Sequence, residues 1–168
     1  MANKKLIYAE LETLEESAMY SGQSQFEQAK FWRGVNLLIG APAALFAAIA
    51  GATGLASVSN QKIAAYFALA AAGLGALVTA LNADRRSTQA HSAANAYLEI
   101  QTAARQLRLV DLGEMKYEDA RASLKELTSR RDEINKTADI PSFYAYWRGK
   151  VNIKKNRQKY GVGVSKNG

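Results

Sequence analysis

Histidine, cysteine and clustered acids are where catalysis or metal binding would have to begin, and the chain offers little of any of them. His91 is the only histidine and there is no cysteine among the 168 residues. The missing thiols exclude disulfides, thiolate nucleophiles, thiolate zinc sites and iron–sulfur clusters. One histidine cannot assemble a histidine-based metal cluster within one chain, and no serine lies in a nucleophile-elbow pattern. His91 therefore reads as a polar side chain on a helix. Gly161, Gly163 and Gly168 mimic a dinucleotide loop, but no strand precedes them and no helix follows. Asn135, Lys136 and Thr137 form a glycosylation sequon, which has no consequence on a cytoplasmic helix. The expectation is a protein that is not an enzyme and that carries no cofactor and no metal.

The chemistry that remains lies in weakly polar groups set in an apolar stretch. From Gly34 to Ala83 the only charged residue is Lys62, although charged residues make up 22% of the chain. With no acid or base inside that stretch, a proton relay or coupled transporter has no residues to work with. Asn36, Thr53, Ser57, Ser59, Thr79 and Asn82 are the candidates to line any water-filled path.

The elements that would position them are two membrane spans, at 34–58 and 63–83. Each is near the ~20 residues that cross ~30 Å of hydrocarbon at helical rise. Ser59, Asn60, Gln61 and Lys62 alone connect them, which dictates an antiparallel hairpin. Lys4, Lys5, Lys30 and Arg33 precede the first span and Arg85 and Arg86 follow the second, against Lys62 in the turn. That bias of positive charge puts both arms and both termini in the cytoplasm. Trp32, Arg33, Arg85, Arg86 and, further on, Trp147 are the expected interface anchors, since each places an apolar body inward and a polar end in water. Gly40, Gly51, Gly54, Gly73 and Gly75, with neighbouring alanines, offer small surfaces for close helix packing. Pro42 marks a bend, or the start of the membrane helix proper. A soluble helical hairpin of this length would carry charges on its wet face, and neither span does. A long polar stretch precedes the first span, so the apolar segments are expected to stay in the mature protein rather than be cleaved as a signal.

The arms read as helices at 5–32, 84–112 and 117–138. The first has an apolar stripe of Leu6, Tyr8, Leu11, Leu14, Met19 and Phe26, and Gly113 ends the second. The stripes can bury one another within a subunit or between subunits. From Pro141 to Gly168 there are seven cations and no acid, so the net charge of +7 equals the charge of this tail. Phe143, Tyr144, Tyr146 and Trp147 beside lysines point to anionic lipid headgroups in preference to nucleic acid. Residues 161–168 read as disordered. The fold class is an all-α membrane protein, a two-helix transmembrane hairpin flanked by long cytoplasmic helices.

The order of these features resembles the SLATT domains, small two-span effectors found beside nucleotide-sensing proteins in bacterial defence systems. The resemblance covers about Leu11 to Leu109. It rests on Glu16, Ser17, Tyr20 and Ala29 to Trp32 in the leading helix, on Gly40-Ala41-Pro42-Ala43-Ala44 and Gly51 in the first span, and on Arg86, His91, Ala94, Tyr97 and Leu98 after the second. It makes 1–140 a SLATT-like domain and 141–168 an appended basic aromatic tail. It implies a homo-oligomeric effector that permeabilises the bacterial inner membrane when infection is sensed, arresting or killing the cell. Unlike fused members, this chain shows no recognisable sensor or nucleotide-generating domain, so a separate sensor, a nucleotide-signalling protein or a diffusible signal would act on its cytoplasmic helices. The alternative is a constitutive membrane anchor or scaffold whose cytoplasmic helices bind a partner.

Overall fold

The computed structural model describes residues 2–56 and 61–154. All regular structure among them is helical: α1 (Ala2–Ala56), α2 (Gln61–Leu81), α3 (Ala83–Gln106), a π-helical turn (Leu107–Asp111), α4 (Tyr117–Thr137) and α5 (Phe143–Lys154). Two of the helices are long and apolar enough to cross a membrane. Their uncharged apolar stretches fall in one of two compact units, Ala29–Thr88, the other being Met1–Gln28 with Gln89–Gly168.

The arm read at 5–32 and the span read at 34–58 belong to one continuous helix, α1, of 55 residues with Pro42 inside it. Pro42 has no N–H to offer the carbonyl of Leu38, so one rung of the ladder is missing there while the helix continues. α2 and α3 are separated at Asn82, whose φ of 50° is left-handed, a conformation that asparagine adopts more readily than most residues. Asn82 N–H still donates to Val78 O at 3.2 Å, and Arg86 N–H to Asn82 O at 3.1 Å.

In the Ala29–Thr88 unit, α1 and α2 run antiparallel. Phe46 and Phe67 meet at 5.5 Å between ring centroids, and Gly54 lies opposite Ala64. Contact is confined to one narrow face of each helix. Leu38 is 77% exposed, Leu55 91% and Leu69 77%. No residue of α2 is buried.

In the other unit, Ile7, Leu11, Leu14 and Ala18 of α1 pack with Ile100 and Ala104 of α3, with Leu107 and Leu112, and with Ala120 and Leu127 of α4. The stripes are thus satisfied within one chain. Leu11 and Leu14 of the expected stripe are buried, but at its start Leu6 and Tyr8 are exposed and Ile7 between them is buried. The steps 7, 11, 14 and 18 are those of a helix seam. The π-helical turn closes with Leu112 N–H donating to Leu107 O at 2.9 Å. This five-residue step brings Leu107 and Leu112 to one side, where an α-helix would set them apart. α4 starts at Tyr117 with Glu118 and Asp119 in its first turn and Lys136 in its last, signs that complement the helix dipole.

Candidate functional site

The first site is a polar layer in α1. Gln23, Ser24, Gln25, Glu27 and Gln28 are all buried, and buried polar groups must find partners. Gln25 Nε2 donates to Asp139 O at 2.8 Å. Gln28 Oε1 accepts from Ser142 N–H at 3.1 Å and from Ser142 Oγ at 2.9 Å. Glu27 Oε1 accepts from Asn152 Nδ2 at 2.9 Å, and Glu27 Oε2 lies 3.6 Å from Arg148 Nε. These bonds hold the α4–α5 connection and α5 itself against α1. Gly149 makes the seat possible: a Cβ there would stand 3.0 Å from Ser24 Oγ and 3.1 Å from Ser24 Cα. Sequence reasoning missed this layer because a polar run normally marks a wet surface. The small residues Gly22 and Ala18 in the same stretch were the available signal that something packs there.

The second site surrounds Arg108, buried on the π-helical turn. Its Nη2 and Nε donate to Glu15 Oε2 at 2.8 and 3.2 Å, and its Nη1 donates to Tyr8 Oη at 2.6 Å. Burial works against its charge, but the hydrogen bond and attraction of Glu15, aided by Tyr8, hold the guanidinium above its ordinary range. The arrangement ties α1 to the end of α3 and exposes no reactive atom, so its work is structural.

Tyr20, His91 and Tyr97, the residues of the resemblance, fall in different settings. Tyr97 is 3% exposed and its hydroxyl donates to Asn135 Oδ1 at 2.5 Å. Burial raises its pKa, and Arg131 only partly opposes that. Tyr20 is half-buried and its carbonyl accepts from Ser24 Oγ at 2.9 Å. Tyr20 and Tyr97 line one cleft of ≈ 330 Å³ with Gln25, Asn135 and Tyr146. His91 is exposed, with its ring edge-on to Phe26 at 5.6 Å and its Nδ1 3.3 Å from Asn95 Nδ2.

Among the expected anchors, Arg86 places its guanidinium 4.9 Å from the centre of the Trp32 ring, a cation–π contact. Phe31 stacks edge-on to Trp32 at 5.5 Å. Arg33, Arg85 and Trp147 are exposed. Ser87 Oγ donates to Ala29 O at 3.0 Å, closing the pair of helices at that end.

Of the candidate pore-lining residues, Thr53 is half-buried and Thr79 is exposed. Each hydroxyl is already bonded to its own helix, Thr53 to Ile49 O at 2.7 Å and Thr79 to Gly75 O at 3.0 Å, a back-bond common for threonine within helices. Asn36 is half-buried near the start of the apolar stretch. Asn82 serves the left-handed junction. Ser57 and Ser59 lie outside the described residues. A Cβ on Gly40, Gly51, Gly73 or Gly75 would meet nothing within 4 Å, and one on Gly54 meets only Ala64. Gly54 thus takes part in the contact of α1 with α2, while Gly40, Gly51, Gly73 and Gly75 have open space beside them among the described residues. Among the described residues no three histidine or acidic side chains gather in a way that could hold a metal ion.

No protein family, no curated protein and no solved structure matches the chain. What it does must be argued from its own residues.

Proposed function

We propose that the protein is a membrane-permeabilising effector of bacterial antiphage defence, seated in the inner membrane with both termini cytoplasmic. One observation carries the membrane part of this reading: α1 and α2 turn large apolar side chains outward along their length, Leu38, Leu55 and Leu69 among them. In water that surface would drive aggregation, and in a bilayer it is the correct solvent. The effector part rests on the resemblance to SLATT domains and on the absence of any charged residue from the spans, Lys62 lying in the turn between them. Two helices cannot enclose water, so the permeable form is a homo-oligomer. The glycines free of intrachain contact supply surfaces for it. A separate sensor or signal acts by binding one state of the cytoplasmic helices better than another.

A specific observation favours the second reading, a constitutive membrane anchor or scaffold. The arms already bury their stripes within a single chain and so form a finished module for a partner to bind. The two readings part under phage challenge in cells expressing the chain with and without its neighbouring genes. The effector predicts loss of membrane potential and dye entry before lysis. Cells that die or survive with polarised membranes point to the scaffold.

A further inference from the structure

α5 is built inside out. Ala145 is fully buried and Gly149 is buried against Ser24, so the smallest residues face the protein. Phe143, Trp147 and Lys150, at steps of four and three on the opposite face, look outward. Phe143 is 85% exposed and Trp147 56%. A helix facing water does the reverse, burying its large apolar groups.

We infer that the outward face of α5 binds the surface of an anionic bilayer, with Phe143 and Trp147 entering the headgroup boundary and Lys150 pairing with lipid phosphates. Three features identify the occupant. Aromatic rings interleaved with lysine suit a boundary that is apolar on one side and charged on the other. The segment from Pro141 onward carries seven cations and no acid, which matches an anionic surface. That same charge opposes a second copy of the chain, because a symmetric contact would set Lys150 against Lys150. The seat of α5 is also fixed rather than loose, through the Glu27 contacts to Arg148 and Asn152. Its outer face is thus preformed, which lowers the ordering cost of binding.

The inference rests on the membrane reading above and is independent of permeabilisation. Its test uses the full chain with Trp32→Phe, which leaves Trp147 as the sole tryptophan, in nanodiscs of phosphatidylcholine with and without phosphatidylglycerol. Expected are a blue-shifted Trp147 emission and quenching by brominated lipid in the anionic discs. Raised salt or Lys150→Glu should reduce the quenching at least twofold, with unchanged helicity by circular dichroism. Emission typical of water in both discs overturns the inference and leaves the membrane reading standing. So does equal quenching in neutral discs, or a blue shift that appears only with two copies per disc. Failure of the chain to enter nanodiscs at all overturns the membrane reading with it.

Discussion

Gly22 and Tyr97 mark a close approach of α1 to α3. A Cβ at position 22 would lie 3.2 Å from Tyr97 Cβ and 3.4 Å from Ala94 O. Gly22→Leu has no space to enter and is expected to lose ~1–3 kcal/mol through overpacking. The same change at Gly51, where nothing lies within 4 Å, should leave the monomer's thermal melt unchanged and act only on self-association. Circular dichroism melts and crosslinking in detergent separate the two effects, and equal melting losses would show that Gly51 is packed after all.

Arg108 and Glu15 are a buried pair, with side chains 4% and 13% exposed. Arg108→Met strands the carboxylate and is expected to cost ~3–5 kcal/mol, while a double change to apolar residues recovers much of the loss. A denaturation series on the four proteins of the cycle measures the coupling. An additive result would mean that the pair contributes nothing beyond its separate parts.

Tyr97 predicts an alkaline limit. Its folded pKa is raised above an ordinary value of about 10. Below that value both states hold the proton and stability is unaffected. Above it the unfolded chain releases the proton first, so stability falls as pH rises. Tyr97→Phe should lose ~1 kcal/mol at pH 8 with its bond to Asn135. It should also show a shallower decline above about pH 10 in thermal melts.

Reporters fused at either terminus are expected to read cytoplasmic and one within 59–62 periplasmic. Lys62→Glu should alter neither, because acids contribute weakly to orientation. A periplasmic terminus ends the hairpin topology.

The two apolar helices were legible because the chain confines its charges so strictly, Lys62 alone interrupting 34–83. Their outer limits were not. Trp32 and Arg33 look like a boundary, yet a change of solvent does not end a helix, and α1 runs through both. Asn82 looked like one more polar residue of a span, since a dihedral angle leaves no mark on hydropathy. The helical arms were visible by period, Leu11 and Leu14 among the buried residues, but Leu6, Ile7 and Tyr8 are three apolar residues in a row, and such a run does not tell which of them faces inward. The polar layer was hidden for a different reason. Gln25 and Gln28 are buried by partners more than a hundred residues away, Asp139 and Ser142, and no local pattern announces a distant partner.

The π-helical turn bears on what editing of this gene the fold can absorb. Its five-residue closure, Leu112 N–H to Leu107 O, holds one more residue than an α-helical closure needs. Leu109 and Val110 within it are 52% and 70% exposed. Loss of a single codon for either would leave Leu107 and Leu112 four apart, on one side of an ordinary α-helix, with Arg108 upstream and undisturbed. A one-codon loss in the middle of α3 would instead rotate every later side chain by about 100° and pull Ala104 and Arg108 away from α1. Single-residue deletions in a library of variants should therefore accumulate at 109–110 and be absent from 90–104.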